Sequence, residues 1–239
     1  MPLSPQSEKT AARPWRDVVL PSLTGITMLV AIFMVFVLVP SERDQGIVQR
    51  VFYFHVNLAW MCFGGFLVVT VASAWYLRTG SRTADRLALA SAEVGMLYTT
   101  LMLGTGTIWA KPIWGVWWTW DPRLTMTVVL WTIYAGYLML RRLADGDETI
   151  LRYAAVLGIV GSLDIPLLVL AIRLWRGIHP AVMLADDPDA GIKDEWMIWT
   201  FLVSMLALGL LFTWLVWLRV RYQKIDERLA ALHAENAPA

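Results

Sequence analysis

The sequence has little charge and almost no cysteine. Only 16% of its 239 residues are charged, whereas 58% are hydrophobic. Soluble domains run nearer ~25% charged and ~50% apolar, so an ordinary soluble domain is excluded. Basic residues exceed acidic ones by one, 20 against 19, which removes the case for a nucleic-acid partner. A single cysteine, Cys62, excludes an internal disulfide and a cysteine-only metal site. Lying in an apolar run, it reads as a small core residue. The chain has no glycine-rich phosphate loop, no Ser/His/Asp set and no metalloprotease motif, so it is not expected to hydrolyse ATP or to act as an enzyme of those kinds.

What the chain has instead is apolar length. Six runs, at 18–39, 51–77, 87–108, 125–140, 153–172 and 196–218, approach the ~20 residues that cross a hydrocarbon core. They predict an all-α, polytopic membrane protein with six transmembrane helices, a tail at 1–17 and another at 219–239. The fourth run is short, and the tryptophan-rich segment before it is expected to supply an interfacial start. The first run is too long for a secretory signal, and VPSERDQG lacks a small-x-small cleavage site, so it reads as an uncleaved anchor.

Six spans put both termini on one side. The tails and even-numbered loops carry thirteen Lys and Arg, against seven on the other side, which predicts cytoplasmic termini. In the C-terminal tail, Ile225, Leu229 and Leu232 recur at helical spacing among charges. That pattern fits a helix running on past the membrane, or a docking stripe for a cytoplasmic partner.

The segment WGVWWTWDPRLT, Trp114 to Thr125, interrupts this pattern. With Trp109 it places five tryptophans within twelve positions. An aromatic belt accounts for scattered residues such as Trp15, Trp75, Trp196 and Trp217. It accounts poorly for Trp114, Trp117, Trp118 and Trp120, because no single helix or strand face collects them. They suit a surface for a large planar apolar ligand, with Asp121 and Arg123 orienting polar groups at its rim.

Three histidines are present. His233 lies in the C-terminal tail. His55, in RVFYFHVNLAW, and His179, in LWRGIHPAV, fall on the same side as the tryptophan segment by the charge bias. Two imidazoles, an indole-rich surface and nearby cations make a haem inventory. Imidazoles supply axial ligands to iron. Arg50, Lys111, Arg123, Arg173 or Arg176 would pair with propionates.

The tryptophan segment, the six spans, and one histidine on either side of the segment resemble the CcmC family. This is the haem-handling branch of the WWD superfamily in bacterial cytochrome c maturation. The resemblance covers nearly the whole chain. It implies a WWD segment at 109–125 that binds haem b on the periplasmic face of the inner membrane. His55 and His179 would be the axial ligands. Trp114, Trp117, Trp118, Trp120 and Asp121 would form the signature, with Arg50 and Arg123 as the family's arginines. It also implies presentation of haem to the chaperone CcmE, and partnership with the ABC transporter subunits CcmA and CcmB and the small membrane protein CcmD. The chain departs from the family before His179, where LWRGIHP replaces a paired tryptophan and a Thr-Leu.

Two acids, Glu93 and Asp164, fall inside spans, where an ionisable group is costly and usually paired or functional. One expectation is interhelical hydrogen bonding, with Asp164 helping to satisfy the backbone freed by Pro166. Another is a polar path, which motivates the alternative of a transporter moving haem or another planar solute through its own helices. A membrane enzyme acting on quinone or lipid lacks a base in the outer loops beyond Asp121, Asp186, Asp187 and Asp189. Gly64, Gly65, Gly104, Gly106, Gly158 and Gly161 read as close-packing positions.

Overall fold

A computed structural model describes residues 15–42, 45–174 and 194–236, with side chains described to residue 170 in the middle stretch. Helices account for nearly all of it. They are α1 (Leu20–Phe33), α2 (Phe52–Thr79), α3 (Arg82–Trp114), α4 (Pro122–Leu143), α5 (Glu148–Gly161), α6 (Asp164–Leu174) and α7 (Glu195–Glu235). Turns of π type extend α1 at Trp15–Val19 and Met34–Leu38, and a 3-10 turn, Ile47–Val51, leads into α2. Six of the resulting helical stretches are long and apolar enough to cross a membrane, and the protein is multi-pass.

The helix ends follow from local chemistry. Ser81, Asp121, Asp147 and Asp194 each accept a hydrogen bond from a first-turn backbone N–H, capping α3, α4, α5 and α7. Gly80 and Gly115 close α2 and α3 with φ of +66° and +76°, the left-handed conformation that glycine adopts at least cost.

The fourth span takes its start from the tryptophan segment, as expected: Asp121 of that segment caps α4, which begins at Pro122 and is 22 residues long. Proline at the first helical position, behind the Asp121 cap, is a strong start signal. The fifth span is broken at Ser162 and Leu163. Pro166 lacks the N–H that would bond to the Ser162 carbonyl. That carbonyl instead accepts from Ile165 N–H at 3.1 Å. Asp164 does not fill the role expected of it, because a carboxylate accepts and cannot satisfy a carbonyl. Its own Oδ2 is buried without a hydrogen-bond partner among the described residues.

α2 and α3 form the most extensive helix pair, α1 packs on α7, and α5 bridges α2 and α4. Phe66 stacks on Tyr134 at 3.6 Å between centroids, and the Tyr134 hydroxyl donates to Gly158 O at 2.9 Å, joining α2, α4 and α5. The Tyr98 hydroxyl donates to Leu208 O at 3.0 Å and ties α3 to α7. Cys62 is buried here, 2.9 Å from the Thr99 hydroxyl. Gly65, Gly106, Gly158 and Gly161 sit where an added Cβ would press on a neighbouring helix. Gly64 and Gly104 face open space and are not packing positions.

A second core cluster, holding Val35, Val39, Phe52, Tyr53, Trp109, Met197 and Phe201, closes the end of the bundle where α3 finishes. It positions the site described next.

Candidate functional site

The tryptophan segment is the connection between two helix caps. α3 ends at Trp114, and the Gly115 N–H donates to Lys111 O at 3.0 Å. α4 begins when Asp121 Oδ1 accepts from Leu124 N–H at 2.9 Å. Between these caps the backbone is irregular, so the indoles are not held to one face. Trp117 and Trp120 are exposed, while Trp114 and Trp118 are half-buried. Trp118 meets Trp120 edge to face at 5.6 Å. Lys111 donates to Gly115 O at 2.8 Å and lies over the Trp117 ring at 5.9 Å, so this cation is engaged within the segment.

An open, shallow recess lies against this segment. Its walls include Trp109, Trp114, Trp117, Trp118, Ile113 and Leu124. Small-molecule sites are mostly apolar, so the lining suits a flat apolar molecule. Gln45, from the loop before α2, lies at its edge and accepts a hydrogen bond from Trp109 Nε1 at 3.1 Å.

His55 is half-buried on the first turn of α2 and packs against one face of α3. Its Nδ1 is 3.1 Å from Met102 O and 3.2 Å from Thr105 Oγ1. A carbonyl only accepts, so the ring hydrogen belongs on Nδ1 and the lone pair on Nε2. Trp109 meets the imidazole edge to face at 5.7 Å and also packs on Phe52. The recess and His55 are neighbours rather than one cavity: they share Gly106 and Trp109.

Several polar atoms around the segment lack a counterpart. Trp118 Nε1, Thr119 Oγ1, Asp121 Oδ2 and Arg50 Nε are buried with no hydrogen-bond partner among the described residues. Such atoms are costly unless something else meets them. Arg50 otherwise donates to Val39 O at 3.4 Å. Arg123 is half-buried and close enough to both Asp121 and His55 for their charges to act on one another.

The structure thus brings His55, Trp109, Trp114, Trp117, Trp118 and Arg123 to one end of the bundle. Asp121 has a structural duty the sequence reading did not assign, as the cap of α4. His179, Arg176 and the side chain of Arg173 lie outside the described residues. Sequence reasoning also missed Thr105 and Gln45. The alternating small residues of Gly104-Thr105-Gly106-Thr107, one turn before Trp109, were the available sign of a close helix approach.

A protein-family model described as heme exporter protein C matches residues 4–235. Similar curated proteins carry the same name. The one from Rhodobacter capsulatus is 33% identical over 218 residues, covering 90% of this chain and 89% of its own. The one from Bradyrhizobium diazoefficiens is 30% identical over 221 residues, covering 92% and 84%. The one from Escherichia coli K12 is 30% identical over 175 residues, covering 72% and 71%.

Proposed function

The chain belongs to the heme exporter protein C (CcmC) family, and from that premise we propose that it binds haem at the tryptophan-lined end of the bundle and presents it for cytochrome c maturation. The observation that carries the reading is the aromatic recess lying beside an imidazole whose Nδ1 is already committed to α3. Trp114, Trp117 and Trp118 would cover the macrocycle of haem b. His55 would ligate iron through Nε2, with His179 as the second axial ligand. Arg50 and Arg123 would meet the propionates, and Trp118 Nε1 would gain a partner at the ring edge.

Haem fits this donor set. The walls are aromatic and apolar, and the imidazole tautomer is the one that ligates through Nε2. The task is ligation, orientation and release, with no turnover. Exposed Trp117 and Trp120 would form the rim against which a periplasmic chaperone, CcmE, collects haem. The excess of Lys and Arg on the opposite face supports cytoplasmic termini and a periplasmic site in the bacterial inner membrane. CcmA, CcmB and CcmD are the membrane partners this assignment calls for.

One observation favours a second reading, in which the chain conducts haem itself. The fifth span is interrupted, and Asp164 beside the break keeps a buried oxygen without a partner. The discriminating measurement is the absorption spectrum of the detergent-purified protein beside His55→Ala and His179→Ala. Haem presentation predicts a low-spin spectrum that shifts or disappears in each variant. Unchanged spectra and occupancy in both variants would overturn the ligand assignment.

A further inference from the structure

Four α3 residues meet the His55 ring: Met102, Thr105, Gly106 and Trp109. Their spacing of three, four and seven residues places them on one helical face. Building on the haem reading, we infer that Thr105 and Gly106 are positioning residues for His55: together they select the nitrogen it offers and strengthen that nitrogen as a donor. Neither residue belongs to the tryptophan motif.

The argument for Thr105 begins with its single hydrogen. The hydroxyl donates to Leu101 O at 2.8 Å and also lies 3.1 Å from Met102 O. With the hydrogen directed at the helix backbone, a lone pair of Oγ1 remains to accept from His55 Nδ1–H at 3.2 Å. The β-branched side chain is stiff about χ1, and its back-bond holds it further, so this acceptor is set before any ligand arrives. The Met102 carbonyl shares the same hydrogen at 3.1 Å. Two acceptors on Nδ1–H pull electron density towards Nε2. An iron ligand supported in this way is more basic, which favours ferric over ferrous iron.

Gly106 acts by absence. A Cβ there would lie 2.9 Å from His55 Cε1 and 3.4 Å from Nδ1. The imidazole therefore lies on bare helix backbone, and any side chain at 106 would lift it from both acceptors. Trp109 borders the ring at 5.7 Å between centroids. The cradle is complete within one stretch of α3.

The test uses the whole chain in detergent, first without haem. Imidazole ¹⁵N shifts, assigned to His55 by loss in His55→Ala, should report the Nδ1–H tautomer in the wild type. Thr105→Val keeps shape but leaves the Met102 carbonyl as the remaining acceptor, and should shift the ¹⁵N signals towards those of a more weakly hydrogen-bonded Nδ1–H; Thr105→Ser should restore them. In the haem-loaded protein, Thr105→Val should weaken the ferric preference and so raise the midpoint. Thr105→Ser should stay near the wild type. Gly106→Ala should lose the His55 contribution to the spectrum while far-UV circular dichroism stays helical.

A Thr105→Val protein with wild-type ¹⁵N shifts and wild-type midpoint would overturn the inference. Failure of the haem reading looks different. There, His55→Ala leaves the haem spectrum intact, while the ¹⁵N measurement on the haem-free protein still decides for or against the cradle.

Discussion

At its Arg82 end, α3 is bound to its neighbours by charge; at its Trp114 end it is bound by rings, a backbone carbonyl and one threonine. Near Arg82, four α3 residues each find an opposite charge on another helix. Arg82 pairs with Glu148 of α5, Asp85 with Arg141 of α4, and Arg86 and Glu93 with Glu227 and Arg219 of α7. The Asp85–Arg141 pair is bidentate, with one of its two contacts at 2.9 Å, and both side chains are almost fully buried. Near Trp114 no ion pair is found among the described residues, and buried polar atoms of the 118–121 stretch have no partner there. One end of the helix pairs its charges within the chain, although Arg86 Nε, Arg141 Nε and Ser91 Oγ there also lack a hydrogen-bond partner among the described residues. The other leaves groups that an incoming molecule would satisfy. A helix can be locked and receptive at once because the two properties sit ~1.5 Å per residue apart along its length.

The sharpest way to break this comparison is at the charged end. Asp85→Ala strands a buried guanidinium and should cost about 3–5 kcal/mol. Thermal or denaturant unfolding in detergent should show it as the largest loss among these variants. Replacing Asp85 and Arg141 together with leucine should recover much of that loss, since no charge is then left unpaired. A cost below ~1 kcal/mol for Asp85→Ala would mean water or lipid headgroups already reach the pair, and the contrast between the two ends would weaken.

Asp121 tests the receptive end at intermediate size. Asp121→Ala removes the α4 cap and should cost ~1 kcal/mol. Asp121→Asn caps nearly as well, so stability should hold. Haem occupancy should rise, since the carboxylate that competes with a propionate for Arg123 is gone. Measuring unfolding and haem content on the same preparations separates the two duties. Equal haem content in Asp121→Asn and wild type would confine Asp121 to capping.

The smallest effect is expected at Glu93. Its bidentate pair with Arg219 is about one-third exposed on both sides. Glu93→Gln keeps the side chain's shape and a hydrogen bond to Arg219, so it should cost far less than Asp85→Ala and leave the haem spectrum unchanged. A changed spectrum would couple the charged end to the site and remove the separation argued above.

The same division marks how far the sequence could be read. The six spans were legible because hydropathy is a local property summed over ~20 residues. The tryptophan cluster and His55 could be picked out as candidates because they are rare residues in a rare arrangement. The break in the fifth span was not, although Pro166 stood in plain view. Proline predicts a disturbed helix, but whether a span bends or breaks depends on which groups satisfy the freed backbone. The C-terminal pattern of Ile225, Leu229 and Leu232 is carried on α7, a continuous helix of 41 residues. At ~1.5 Å per residue that is roughly twice the ~30 Å of a hydrocarbon core. Those three side chains stay exposed.

Hydropathy, caps and the tryptophan motif are written in neighbouring residues, so the sequence alone determined a six-span helical membrane protein with a tryptophan cluster between two of its spans. Partner choice was decided only in three dimensions. Glu93 faces Arg219 across 126 positions, and His55 meets Met102 and Thr105 across 47 and 50. No local period encodes such pairings. They exist because α2 and α3 pack close enough for an imidazole to rest on a glycine, a distance set by the rest of the bundle.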